Sequence, residues 1–148
     1  MKRLAVIVFS VACALALGAS AEPSKTLYVQ FIRGTDRECA TSTCREVGPK
    51  LSARLSPVFR WKHYWEVDRK RLLIPAKKPT RIELPGDRKL QIQLTGPKEV
   101  EVRLYRRTGL VTKTRHALNG QMFILGGEED SRESFFVVVR ADEPSAGE

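Results

Sequence analysis

Metal-binding and nucleophilic side chains are scarce in this chain of 148 residues, which carries 3 cysteines and 2 histidines. His63 and His116 are far apart, and neither has a second histidine at ligand spacing, so no metal site and no cofactor are expected. There is no G-x-S-x-G elbow, no S-x-x-K, and no cysteine in a recognisable nucleophile context with histidine and asparagine. The chain therefore reads as non-catalytic. Glycine (10) and proline (8) are too few for a collagen or a low-complexity chain. β-Branched and aromatic residues are too many for a disordered one. No apolar run reaches the roughly 18 residues that a membrane-crossing helix needs.

What is present begins with a leader. Lys2 and Arg3 precede an apolar run over 4–17, and the small residues Gly18-Ala19-Ser20-Ala21 follow. That order is a secretory signal peptide, with cleavage expected after Ala21. The chain is thus expected to be periplasmic or secreted, with residues 1–21 and Cys13 removed. Residues 22–140 would form a single β-rich domain and 141–148 a disordered acidic tail, with no transmembrane segment in the mature chain. Cleavage reduces the net charge from +9 to +7. The remainder is uneven: residues 22–127 hold 22 basic and 10 acidic side chains, and residues 128–148 hold 2 and 7.

Residues 26–33 (TLYVQFIR) are apolar on both faces, as in a strand covered on two sides. Gly34-Thr35-Asp36 breaks that strand, and 37–48 has no period and reads as a loop. Pro49 opens a helix of about two turns in which Leu51, Leu55 and Val58 face inward until Pro57 interrupts. Residues 59–68 (FRWKHYWEVD) alternate. Phe59, Trp61, His63, Trp65 and Val67 take the apolar face, with His63 packed in the core; Arg60, Lys62, Tyr64, Glu66 and Asp68 take the wet one. The shared face of Glu66 and Asp68 is expected to serve ion pairing rather than acid–base catalysis. Further strands are expected at 71–74, 80–84, 89–94, 99–107, 110–118, 121–125 and 134–140. Asn119-Gly120 is the strongest hairpin signal, and 126–131 reads as an acidic loop. Turns every 8 to 12 residues define the fold class as mainly β (α+β). The expected architecture is an antiparallel β-sandwich or barrel-like sheet of about 7–9 strands, with one short helix after the first strand.

The run GPKLSARLSPVFRWKHYWEVDR, followed by RIELPG, RKLQIQL, a Gly-Gly turn and FFVVVR, resembles a group of small secreted or periplasmic bacterial proteins of unknown role. The resemblance covers most of residues 26–140 and implies a small envelope protein. It carries no catalytic motif and assigns no functional residue.

Two features remain. Cys39 and Cys44, the thiols left after cleavage, are expected to form a local disulfide worth about 2 kcal/mol. A redox pair is the alternative, but the spacing exceeds C-x-x-C and nothing in the sequence lowers a thiol pKa. The second feature is a basic stretch opposed only by Glu66 and Asp68. Arg60, Lys62, Tyr64, Arg69, Lys70, Arg71, Lys77 and Lys78 are its candidate binding residues: cations supply a field and the Tyr64 ring supplies stacking. For an exported chain the expected partner is an envelope protein, or an anionic polymer or lipid head groups, and not genomic nucleic acid. A solvated edge that resists aggregation is the competing reading, and strand addition to another envelope component is a third. The exported, non-reduced chain should begin at Glu22 and weigh two hydrogens less than its sequence mass. An intact-mass spectrum showing a retained leader or two free thiols would contradict the corresponding expectation.

Overall fold

The computed structural model describes residues 23–129 and 131–145; the leader, Cys13, Asp130 and the side chains of Glu128 and Glu129 lie outside the described part. In chain order the elements are β1 (Ser24–Thr35), β2 (Arg45–Glu46), α1 (Pro49–Phe59), β3 (His63–Pro75), β4 (Thr80–Leu84), β5 (Arg88–Gly96), β6 (Glu99–Arg106), β7 (Gly109–Ala117), β8 (Phe123–Glu129) and β9 (Glu133–Arg140). The strands make two antiparallel sheets, ordered β2-β3-β1-β9-β8 and β4-β5-β6-β7. This is the architecture of a β-sandwich. Among the described residues no helix is long and apolar enough to cross a membrane.

The five-stranded sheet is buried on both faces, which explains the unbroken apolar runs of β1 and β9. Toward the second sheet point Leu27, Val29 and Phe31 of β1 and Val137 and Val139 of β9, meeting Leu90, Ile92, Val100, Val102 and Leu104. On the opposite face Ile32, Tyr64, Phe136 and Val138 meet Leu51 and Leu55 of α1. Pro49 starts the helix at a position where its missing N–H costs nothing, after an extended Gly48. Pro57 sits inside the last turn, and the chain leaves through Arg60 in the left-handed region (φ 59°), whose N–H donates to the Ser56 carbonyl.

A β-bulge interrupts the alternation of β3 at its centre. Phe31 pairs with Asp68 but Ile32 pairs with Glu66, so Val67 is an extra residue and side-chain parity flips across it. Tyr64 and Glu66 do share a face apart from His63 and Trp65, but it is the face on the α1 side and both are buried, whereas His63 and Trp65 are half-buried and stack on each other at 5.5 Å. His63 is therefore not a core residue; its Nδ1 lies 3.7 Å from a carboxylate oxygen of Glu46. Glu66 and Asp68, expected on one face, lie on opposite faces.

Other expectations are corrected by tertiary context. β1 continues through Gly34 to Thr35, and the expected strands at 59–68 and 71–74 are one continuous β3 that starts at His63. Val58 is exposed and Phe59 takes the inward position, its ring 4.2 Å from that of Phe136. Gly120 does adopt positive φ, yet Asn119-Gly120 joins β7 to β8 in the other sheet rather than closing a hairpin. The chain beyond β9 is seated as far as Pro144, which is buried and whose carbonyl accepts a hydrogen bond from Arg69 at 3.0 Å.

Gly34 permits a close approach of an aromatic ring to the backbone. A Cβ there would lie 2.5 Å from Cδ1 of Trp61, whose indole N–H donates to Ser134 Oγ at 2.9 Å. Gly34→Ala should lower stability by about 1–3 kcal/mol, because the indole must leave its seat. An unchanged denaturation midpoint would show that Trp61 is free to move.

Candidate functional site

The sequence-derived binding residues do not form one surface. β3 runs over 13 residues, a span of about 40 Å at strand rise, and its bulge sends the side chains to both faces. Arg60 and Lys62 are exposed beside the end of α1, and Lys77 and Lys78 are exposed in the turn beyond the far end of β3. Arg71 is exposed between them. Arg69 is held by Glu66 through two bonds of 2.9 Å and by the Pro144 carbonyl. Lys70 pairs with Asp68 at 3.1 Å on the face toward the second sheet.

Tyr64, expected as the stacking ring, is 2% exposed. Its hydroxyl accepts the Trp61 backbone N–H at 3.2 Å. Burial raises its pKa, and that hydrogen bond offsets part of the rise. It offers no ring to a ligand. Cys39 and Cys44 are disulfide-bonded, as expected.

A denser arrangement lies on the outer face of the second sheet. Because Ile82, Leu84, Leu90, Ile92, Val100, Val102 and Leu104 point inward, the odd-numbered residues between them point out. Strand register then sets them in rows. Glu83, Lys89, Tyr105 and Leu110 are cross-strand neighbours; so are Arg81, Gln91, Arg103 and Lys113, and next to them Gln93, Glu101 and Arg115. No element covers this face among the described residues.

At its centre Glu101 is nearly inaccessible, 4% exposed. Arg103 reaches it at 2.6 Å, Arg115 at 3.0 Å and Lys113 at 3.4 Å. Hydrogen bonds from Arg103 and then Arg115 are the chief reason its carboxyl is lowered to about 2 from an ordinary 4.5, and Glu101 in return raises the Arg103 pKa. One carboxylate thus gathers three cations, leaving local positive charge in excess. Arg81 donates to Gln91 Oε1 at 2.7 Å in the adjacent row.

The same face dips toward the hairpin tips into an open cleft of about 750 Å³, where Arg81, Lys89, Arg106 and Arg107 surround the half-buried Tyr105, opposed by Glu83 and Asp87. Arg88 forms the cleft's floor. Its guanidinium lies 4.3 Å from the Phe135 ring centroid and donates to the Pro85 and Gly86 carbonyls, so it holds the β4–β5 turn. Gly86, at φ 75°, leaves room that a Cβ would take from Arg88.

Sequence reasoning missed this cluster because its members come from separate strands. Alternation around Val100, Val102 and Leu104 does put Glu101 and Arg103 on one polar face. Only the β6–β7 register adds Lys113 and Arg115. Among the described residues no group of histidine, cysteine, aspartate and glutamate is arranged to hold a metal ion.

The depressed Glu101 pKa gives a signed pH effect. Its contribution to stability is present above about pH 4.5 and is lost as pH falls toward 2, because over that range the unfolded chain takes up a proton that folded Glu101 does not. Wild-type thermal midpoints should therefore fall more steeply than those of Glu101→Gln across that window; parallel acid limbs would contradict the assignment. No protein-family profile matches this chain, and comparison with curated proteins and with solved structures gives no match, so residue roles rest on the geometry above.

Proposed function

We propose that the protein is an exported, non-catalytic component of the cell envelope that binds a polyanion through the outer face of its four-stranded sheet. The observation that carries this reading is the buried Glu101, which fixes Arg103, Lys113 and Arg115 in one place on an uncovered face. Cations held in position lose less conformational freedom on binding than free lysines and arginines do. Lys89 and Arg81 extend the field, and Tyr105 supplies an aromatic surface beside it. The leader supports export, and the disulfide fits an oxidising compartment. Within an envelope, the ligands of this chemistry are phosphorylated lipid head groups and acidic or sulfated polysaccharides.

Strand addition is the second reading. Among the described residues β7 pairs only with β6, and Leu110 and Val111 are exposed on it. A bulge at Val111 and the flanking cations guard that edge. Salt separates the two, since polyanion binding releases counterions and strand pairing does not.

Heparin is a suitable probe. The purified protein should be retained at low salt and elute as salt rises. Lys89→Gln/Lys113→Gln/Arg115→Gln, which leaves Arg103 on Glu101, should elute clearly earlier. Lys62→Gln/Lys77→Gln/Lys78→Gln, with the same loss of charge, should elute near the wild type. Passage of the wild type through the column, or equal shifts in both variants, would overturn the assignment.

A further inference from the structure

Arg33 stands on β1 opposite Trp65 of β3 and Phe135 of β9, beneath the loop that carries the disulfide. Its Nη2 lies 3.6 Å from Cys39 Sγ and 3.8 Å from Cys44 Sγ. Its Nε is buried without a hydrogen-bond partner among the described residues. A disulfide is a weak acceptor for a cation that has given up part of its hydration, whereas a thiolate is a strong one. The Thr41 hydroxyl lies 3.4 and 3.5 Å from the same two sulfurs, a second group able to donate to a sulfur anion. The neighbouring charges do not compete for this position: Asp36, Arg37, Glu38 and Arg45 are exposed, and Glu46 faces His63.

We propose that Cys39–Cys44 is a thiol–disulfide exchange site whose reduced form is held by Arg33, with external thiols as its co-substrate. An external thiolate attacks one sulfur, forming a mixed disulfide and releasing the other cysteine as a thiolate beside the guanidinium. A second external thiol gives its proton to solvent and attacks the mixed disulfide. It leaves as an external disulfide and frees the second cysteine, which takes a proton from solvent or remains ionised according to pH. Two electrons pass from the external thiols to the protein, and the reverse sequence oxidises a thiol pair. A cation beside the sulfurs lowers the thiol pKa, stabilises the dithiol and so raises the reduction potential.

The surroundings suit repeated opening. Both cysteines are half-buried rather than enclosed. No residue from 36 to 44, the segment between β1 and β2, belongs to either apolar cluster. The loop is also tethered independently of the disulfide: Asp36 accepts the Lys62 N–H at 3.1 Å, and the Arg37 carbonyl accepts the Trp65 indole N–H at 3.3 Å. Reduction thus removes a cross-link without removing a core side chain. This inference is independent of the polyanion surface, which lies on the other sheet.

The oxidised protein, equilibrated with stepped ratios of reduced to oxidised glutathione and trapped with a maleimide, reports its reduced fraction by mass. Arg33→Gln should need an about tenfold more reducing buffer than wild type to reach half reduction, which is about 30 mV for this two-electron couple. Arg33→Lys, which keeps the charge, should stay closer to wild type. Equal midpoints for wild type and Arg33→Gln would overturn the proposal. If Arg33→Gln does not fold, the reduced wild type decides. Its alkylation by iodoacetamide should show a midpoint pH well below the ordinary thiol value of about 8.5, and a midpoint at or above that value would overturn the proposal.

Discussion

The structure depends on one constraint: the strands β1 and β9 must be buried on both faces. A sheet whose middle is apolar on both sides needs a layer above and a layer below. The four-stranded sheet supplies one layer over Leu27, Val29, Phe31, Val137 and Val139, and α1 supplies the other over the end where Ile32, Tyr64, Phe136 and Val138 lie. The helix, though short, is therefore not peripheral. Its Leu51, Leu55 and Phe59 close the second core, and Trp61, laid against Gly34, seals its margin.

Beyond the reach of the helix the same face turns polar, and a second solution appears. Glu66 is buried there between Gln30, which donates to it, and Arg69, which grips both of its oxygens. The chain after β9 folds over this group, bringing the Pro144 carbonyl onto Arg69. The outer face of the other sheet repeats the motif with Glu101 and its three cations, but among the described residues nothing comparable closes over it. Two buried carboxylates thus organise arginines on two outward faces, one capped and one open. The open one is where a ligand can meet charges already in place.

Much of this was legible in the residues. The two-sided apolar runs, the frequent turns and the single proline-initiated helix led to a two-layer β architecture with a helix, and cysteine parity led to the disulfide. Facing was harder, because alternation reports a side only while the register is unbroken. One extra residue, Val67, took Asp68 off the face of Glu66, and α1 covers the face that looked polar, which buries Tyr64, the expected stacking ring. The Asn119-Gly120 pair shows a similar limit: its left-handed backbone was readable, but whether it turns within a sheet or crosses between sheets depends on which strands its neighbours join. Clusters were least legible. Arg33 and the sulfurs are close in sequence, yet only the fold turns the guanidinium toward them, and the cations around Glu101 meet through a pairing that no spacing rule reveals.

The proposed polyanion binding lies on the outer face of β4–β7 and not along β3. Backbone amide chemical-shift mapping during titration with a short sulfated oligosaccharide tests it most directly. Salt-sensitive shifts should concentrate at Lys89, Gln91, Arg103, Tyr105, Lys113 and Arg115, with residues 60–78 little changed. Shifts centred on residues 60–78, or none at low salt, would contradict it.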